Sequence, residues 1–267
     1  MQAIDDARLS SDEDLTLLSE AAREAGEIAM SYFRRAQEVW WKEGKSPVGE
    51  ADFAVDRFLK EELLRARPEH GWLSEETVDS AERLSARRTF VVDPIDGTRA
   101  FIDGSDTWCV SIAIVEDGRT VAGVLECPAK SETYMAIIGG GARLNGSPIT
   151  VSKPTDEPLI SGPKPMIAAL PDSLRARIRT HSYIPSLAYR IAMVASGRLD
   201  ASFVKPDSHD WDLAAADLVL AEAGGMILDR AGQPPRYAGP DPRHGPLAAG
   251  SGPLLEELAK VVAAYDR

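Results

Sequence analysis

The chain has 267 residues, of which 44% are hydrophobic and 27% charged, a composition typical of a globular protein with a sizeable core. Its 30 basic and 42 acidic side chains give a net charge of −12, which argues against a nucleic-acid polymer as partner. There is no run of about 18 uncharged apolar residues and no signal-peptide pattern at the acidic start. With two cysteines only, we expect a cytoplasmic protein without a membrane span.

The first part of the chain, residues 1–153, predicts helices layered on a largely antiparallel sheet. A long amphipathic helix is expected to begin at Ser11, and a second to span residues 51–67. A buried strand at residues 89–92 is expected to stop at Pro94. Alternating polarity and the turns at Asp117-Gly118 and Asn145-Gly146 predict further strands at residues 108–116, 120–126, 133–138 and 149–152.

The second part, residues 154–267, alternates between helix and strand patterns, which predicts a mixed α/β sheet. A proline-rich segment, residues 154–165, is expected to connect the two halves into one compact unit. The expected helices lie at residues 186–196, 211–223 and 254–265, and the expected strands at residues 199–204, 226–229 and 247–250.

The most informative segment is VVDPIDGT, residues 91–98, in which an apolar strand leads into two carboxylates, a glycine and a hydroxyl. Asp93 and Asp96 are close enough in sequence to share a hard cation through oxygen. Gly97 permits a sharp turn or a close approach to a ligand, and Thr98 adds a hydroxyl. Two successive turns that cap a helix are the alternative interpretation. Two more acidic clusters favour the metal site: Glu75-Glu76 and Asp210-Trp211-Asp212.

These segments, in this order, resemble those of the inositol monophosphatase superfamily, which comprises magnesium-dependent, lithium-sensitive phosphomonoesterases. The resemblance extends over nearly the whole chain, roughly from residue 14 to residue 258. It implies a layered αβαβα sandwich of the inositol monophosphatase and fructose-1,6-bisphosphatase type, an α/β fold whose two halves form one catalytic unit. A homodimer is the family expectation.

The resemblance also implies two or three Mg²⁺ ions. Glu75, Asp93 and the carbonyl of Ile95 are expected to hold the first ion, and Asp96 and Asp212 the second. All of these ligands are oxygen atoms, which favours magnesium over zinc. The bound cations would also reconcile an acidic protein with a phosphorylated substrate.

In the family the nucleophile is a water activated by metal. Besides the ligands Glu75 and Asp93, the catalytic residues implied are Thr98, which orients that water, and Asp52, which supports Thr98 or a third ion. The substrate-binding residues expected are Gly97, Thr98 and Arg99, whose amides lie at a helix start, together with Lys205 and Asp212.

Several features are similar to the 3′(2′),5′-bisphosphate nucleotidase branch. Residues 46–52, SPVGEAD, match its pattern except that Gly49 replaces a threonine, and residues 73–76 read LSEE. Lys205, seven residues before Asp212, stands where inositol phosphatases carry a glutamate. An ammonium there suits a second phosphate, although an exposed loop lysine is the alternative.

The reaction expected is therefore the conversion of 3′-phosphoadenosine 5′-phosphate to AMP and phosphate. Inositol 1-phosphate and histidinol phosphate are the alternative substrates, since the histidinol-phosphate branch carries the same DPIDGTRAFI run. A non-catalytic binding protein is disfavoured because the acidic set is intact. The roles of Glu76, His209 and Ser186 stay open, and Pro185, in place of the family's usual glycine, argues against a ligand contact at Ser186 or Leu187.

Overall fold

The structure, a computed structural model, describes residues 2–35, 38–41 and 47–265. Ser46, the first residue of the SPVGEAD segment, lies outside this range. The α-helices of the described residues are α1 (Gln2–Tyr32), α2 (Glu50–Ala66), α3 (Thr98–Ile102), α4 (Lys164–Ala168), α5 (Asp172–Arg175), α6 (Leu187–Ala195), α7 (Asp210–Glu222) and α8 (Gly252–Ala263). Within that range, none of the helices combines the length and apolarity that a membrane crossing requires.

The strands are β1 (Val39–Trp41), β2 (Pro47–Gly49), β3 (Gly71–Ser74), β4 (Arg88–Asp96), β5 (Cys109–Glu116), β6 (Arg119–Cys127), β7 (Glu132–Ile137), β8 (Gly141–Leu144), β9 (Ser147–Pro148), β10 (Leu159–Ser161), β11 (Arg179–Thr180), β12 (Ala201–Val204), β13 (Ser208–His209), β14 (Met226–Leu228), β15 (Arg243–His244) and β16 (Leu247–Gly250).

Two sheets form the framework. The first has seven strands in the order β3-β4-β5-β6-β7-β8-β9, with β3 parallel to β4 and every later pair antiparallel. The second has five strands in the order β11-β10-β12-β16-β14. In it β10 runs parallel to β11 and β12, whereas β16 is antiparallel to both of its neighbours. The expected antiparallel and mixed sheets are both confirmed.

Helices cover both sheets and fill the space between them. Helices α1 and α2 pack on one face of the seven-stranded sheet, while α6 and α7 contact both sheets. Helices α4, α5 and α8 share an apolar cluster on the far side of the five-stranded sheet. Because α7 lies between two sheets, it buries apolar side chains on all its sides. The layers therefore follow the order αβαβα, as expected.

Four elements differ from the sequence-based expectations, and the fourth of them is strand β4. Helix α1 begins at Gln2 rather than Ser11, because residues 2–10 contain neither proline nor glycine to end it. The proline-rich segment is not a plain connection, since it contributes β10 to the second sheet and the start of α4. Residues 149–152 form no strand: the amide of Ile149 bonds to Ala142 and that of Val151 to Ala223, so the chain passes between elements.

Strand β4 does not stop at Pro94 but continues to Asp96. Asp93 pairs with Ser111 and Asp96 with Cys109, so two residues, Pro94 and Ile95, stand opposite one residue of β5. This β-bulge accommodates a proline, whose missing N–H would otherwise interrupt the ladder. Side chains three positions apart in a regular strand point to opposite faces, and the extra residue brings Asp93 and Asp96 to the same side.

Candidate active site

The bulge at the end of β4 is fixed by local bonds. The amide of Ile95 donates to Oδ1 of Asp93 at 3.0 Å, which closes a turn around the aspartate side chain. Gly97 follows with φ of 95°, and a Cβ atom there would lie 3.0 Å from the carbonyl oxygen of Thr107 and 3.1 Å from Cβ of Ser186. Glycine is therefore required both by its conformation and by the closeness of its neighbours.

Asp96 lies against the first turn of α6. Its carboxylate accepts the amide of Ala188 at 2.7 Å, the amide of Leu187 at 3.2 Å and the hydroxyl of Ser186, which also caps the helix. A helix start carries partial positive charge and amides without intrahelical acceptors, so it stabilises this carboxylate. Ser186 and Leu187 therefore have a role that the sequence did not indicate, because both hold the carboxylate of Asp96.

Two further carboxylates occupy equivalent places on other helices. Asp52 lies in the first turn of α2 and accepts the amide of Gly49 at 2.9 Å. Asp212 lies in the first turn of α7 and accepts the amide of His209 at 2.7 Å. The starts of α2, α6 and α7 thus each bear an acidic group of the site, and their dipoles offset part of its negative charge.

Asp93, Asp96 and Asp212 form the centre of the site, with carboxylate oxygens that lie within 4.8 Å of one another. Burial raises the pKa of Asp93 and of Asp212 well above the usual range, and the neighbouring carboxylates raise both further. Burial also raises the pKa of Asp96 to about 6, although its bonds from Ser186 and α6 oppose the shift. A bound cation would offset the mutual repulsion of these three carboxylates.

Glu75 lies beside this centre at the end of β3, with its amide bonded to the carbonyl of Val92. Its charge raises the pKa of Asp93, Asp96 and Asp212, although its carboxylate is not part of the cluster whose oxygens lie within 4.8 Å of one another. Asp56 on α2 holds the segment around it, because its carboxylate accepts the hydroxyls of Ser74 and, at 2.7 Å, of Thr77.

The donor atoms fit magnesium. Three carboxylates converge, and the carbonyl of Ile95 lies in the bulge between two of them. The buried thiol of Cys109 contacts Asp96, and burial raises its pKa, but its sulfur is not among the atoms that lie within 4.8 Å of one another. An all-oxygen set with no thiolate suits a hard divalent ion such as Mg²⁺.

Thr98 connects two parts of the site. Its hydroxyl lies 3.1 Å from Oδ1 of Asp52 and 3.1 Å from the carbonyl oxygen of Ile95. Arg99 follows on the exposed side of the short helix α3. The amides at the start of α3 have no acceptors within the helix, so they remain a candidate phosphate contact.

The structure also locates the residues whose roles were left open. The ring of His209 stacks on Trp211 at 4.5 Å, so this histidine supports Asp212 through its main chain and packs with its side chain. Glu76 is half-buried next to Glu75, and its backbone amide donates to the hydroxyl of Ser74. Lys205 is exposed, and its charge lowers the pKa of Asp212.

Sequence reasoning did not identify Asp56 as the residue that holds Glu75, nor Arg190 as a charged residue of the core. The sequence does contain a signal for Asp56, because it is four residues after Asp52 and this spacing places both side chains on one face of a helix. Arg190 lies within an apolar helix, and only its fractional exposure of 7% in the folded chain reveals it. Its guanidinium donates to Ser202, to the carbonyl of Phe203 and to that of Ile184.

Comparisons with known proteins agree with this geometry. The sequence profile described as "Inositol monophosphatase family" matches residues 10–267. Inositol monophosphatase 2 of Solanum lycopersicum is 34% identical over 232 residues, which cover 80% of this chain and 86% of the relative. The 3′(2′),5′-bisphosphate nucleotidase CysQ of Aggregatibacter actinomycetemcomitans is 31% identical over 230 residues, covering 82% and 85%.

Among solved structures, Thermotoga maritima IMPase TM1415 superposes with a TM-score of 0.80 at 30% identity and covers 97% of both chains. The residues matched by the profile include the carboxylate cluster and both sheets. The chain belongs to the inositol monophosphatase family and is a phosphomonoesterase.

Proposed function

We propose that the chain is a Mg²⁺-dependent 3′(2′),5′-bisphosphate nucleotidase that converts 3′-phosphoadenosine 5′-phosphate to AMP and phosphate. The observation that carries the metal-dependent chemistry is the convergence of Asp93, Asp96 and Asp212 within 4.8 Å. Two Mg²⁺ ions at such a site supply charge neutralisation and lower the pKa of a water. Glu75, Asp93 and the Ile95 carbonyl would hold one ion, and Asp96 and Asp212 the other.

The chain's own residues have separate tasks in this proposal. Thr98 orients the attacking water through its hydroxyl, and Asp52 fixes that hydroxyl by accepting its proton in a hydrogen bond. The amides of Gly97, Thr98 and Arg99 bind the phosphate oxygens at the start of α3. As the oxygen of the water bonds to phosphorus, the P–O bond to the leaving group breaks and the leaving oxygen takes up a proton from water. Lys205 contributes positive charge to a substrate with a second phosphate.

Two observations support the nucleotide substrate: the similarity to the CysQ nucleotidase, and a lysine at position 205. Inositol 1-phosphate is the second candidate, because the tomato inositol monophosphatase is 34% identical. Phosphate release from 3′-phosphoadenosine 5′-phosphate, inositol 1-phosphate and histidinol phosphate, each with Mg²⁺ or with a chelator, separates the candidates. We expect the highest kcat/KM for the nucleotide, and a higher value for either other substrate would overturn the choice.

A homodimer, inhibition by lithium and a cytoplasmic location complete the proposal. Sedimentation equilibrium of the whole chain tests the first, with twice the chain mass as the expected result. Titration of phosphate release with LiCl against a KCl control tests the second. A location test requires the protein in its cell of origin, with fractionation as the measurement.

A further inference from the structure

A cavity of about 550 Å³ adjoins the carboxylate cluster. Its lining includes Leu187, whose amide bonds to Asp96, and Lys205, whose charge acts on Asp212. The cavity is therefore next to the cluster and offers space for the part of a substrate that extends beyond its phosphate. The volume lies within the range of ~300–1,000 Å³ that small-molecule sites occupy, and it is far larger than a phosphate alone requires.

The charge of the cavity is opposite to that of the chain. Among the described residues that line it there are four cationic side chains and no carboxylate, although Arg175 is paired with the exposed Asp172 just outside the lining, whereas the whole chain has a net charge of −12. The cations are Lys164 on α4, Arg175 on α5, Arg190 on α6 and Lys205 after β12. Such an excess of one sign in a concave site raises the local concentration of anions.

Arg190 gives this charge a buried component. It is 7% exposed, and its guanidinium donates to the uncharged oxygens of Ser202, Phe203 and Ile184. The negative charges of Asp96 and Asp212 favour its charged form, and a bound cation would offset both of them. A buried cation without a neutralising partner is costly, so a cation-loaded cluster favours an anion in the adjoining cavity.

The remaining wall is apolar and aromatic. Tyr183 is 79% exposed, and Ile167, Pro185 and Leu187 lie around the same cavity. An exposed aromatic ring beside cationic groups is suited to a flat, uncharged ring on a ligand that also bears phosphate. A polyol such as inositol offers no such ring and no second charge.

We propose that this basic cavity, formed by Lys164, Arg175, Arg190, Lys205 and Tyr183, binds the leaving group of the substrate, holding its second phosphate on the lysines and its planar base against Tyr183. The inference rests on the proposed function in that the reacting phosphate lies at Asp93, Asp96 and Asp212. It adds the residues that select a nucleotide bisphosphate over other phosphomonoesters.

The first test compares two substrates that differ only in the second phosphate, 3′-phosphoadenosine 5′-phosphate and adenosine 3′-phosphate, in the Lys164→Gln and Lys205→Gln variants. We expect each substitution to reduce kcat/KM for the bisphosphate about tenfold more than for the monophosphate. The exposed Lys260→Gln variant on α8 is the matched control and is expected to leave both values unchanged. Equal losses for the two substrates, or no loss, would overturn the proposal.

The second test does not depend on turnover. AMP lacks a phosphate to be cleaved by this route, and its binding to the whole chain in the presence of Mg²⁺ can be followed by calorimetry. We expect Lys164→Gln and Tyr183→Ala each to weaken AMP binding about tenfold, whereas Tyr183→Phe keeps it. Wild-type binding of AMP no tighter than that of ribose 5-phosphate would contradict the role of Tyr183. If AMP binds as expected but no phosphomonoester is hydrolysed, the proposed function fails and the cavity assignment stands.

Discussion

The hydroxyl of Thr98 donates to Asp52 across 3.1 Å and so joins the first turn of α2 to the bulged end of β4. The same hydroxyl lies 3.1 Å from the carbonyl oxygen of Ile95. Since it has a single proton, a bond to Asp52 leaves its lone pairs and the Ile95 carbonyl available to other groups. The position of this proton therefore decides what Thr98 can orient.

Removal of this hydroxyl is expected to impair turnover more than folding. We predict that Thr98→Ala lowers kcat by about a hundredfold, whereas Thr98→Ser retains most of it because the hydroxyl is kept. Phosphate release at saturating substrate measures the effect, and thermal unfolding shows whether the variants are folded. Equal kcat values for the alanine and serine variants would contradict a role for the hydroxyl.

In the proposed function Asp93 is a metal ligand, and in the metal-free chain its charge is repelled by the neighbouring carboxylates. Asp93→Asn removes one negative charge while its Oδ1 can still accept the amide of Ile95. We predict that the metal-free Tm rises by about 3 °C, the effect of roughly 1 kcal/mol in a protein of this size. The increase of Tm on addition of Mg²⁺ is expected to disappear together with phosphatase activity. A variant that keeps the Mg²⁺ response would show that Asp93 is not a ligand.

Stability without metal is expected to fall as the pH rises. Burial raises the pKa of Asp96 from 3.8 to about 6, so the folded state binds this proton more tightly than the unfolded state. The stabilisation from protonated Asp96 is complete below the unfolded value and is lost as the pH passes the folded value. We therefore predict a decline of the metal-free Tm between about pH 4 and pH 6.5.

Magnesium competes with the same protons. The increase in Tm that Mg²⁺ produces is expected to be larger at about pH 7.5 than at about pH 5, because the carboxylates must be ionised to bind it. Scanning calorimetry at both pH values with Mg²⁺ or a chelator measures this. An equal increase at the two pH values would mean that the ion binds elsewhere.

Gly97 offers a sharp test of the close approach between β4 and α6. Gly97→Ala would place a methyl group 3.0 Å from the Thr107 carbonyl in a backbone with φ of 95°. Gly146→Ala is the matched control, since Gly146 has φ of 79° and nothing within 4 Å of the added atom. We expect the control to lose about 1 kcal/mol from its conformation alone, and the Gly97 variant to lose more and to lose activity. Chemical denaturation of both variants checks the difference.

Asp56 is expected to act on the metal through Glu75. Asp56→Ala removes the acceptor of the Ser74 and Thr77 hydroxyls and should weaken Mg²⁺ binding several-fold, about tenfold by comparison with other supporting residues of metal sites. Asp14→Ala is the control, because Asp14 is also buried but bonds to Arg67 and Arg88. Both variants are expected to lower the Tm, and only the first to change the Mg²⁺ concentration at half-maximal activity.

Much of the fold could be predicted because its elements have strong local patterns. The strands β5 and β6 have alternating apolar residues and are joined by a turn at Asp117-Gly118, as expected. Helix α7 ends just before a glycine pair, also as expected. Strand β10 was missed because its three residues lie among prolines and gain their stability from parallel neighbours distant in sequence. Short strands of this kind have almost no local signal.

The candidate site, like the fold, could be predicted from the sequence only in part. Asp93, Asp96 and Asp212 are recognisable from short motifs, and the structure brings all three together. The contact between Ser186 and Asp96 spans 90 residues, and the cavity that contains Lys164 and Lys205 exists only after α4, α6 and β12 have packed. Sequence reasoning could propose Lys205 alone, because the other cations come from segments with no motif of their own.

The bulge in β4 has a consequence for protein engineering. If the DPID tetrapeptide were grafted onto a regular strand without a bulge, one aspartate would point into the core and the other away from it. The two carboxylates could then not bind the same cation. A transplant would need the unequal pairing as well: Pro94 and Ile95 facing a single partner on the neighbouring strand. A graft would therefore have to include both strands with their bulged pairing, because the tetrapeptide alone does not determine the direction of its two aspartates.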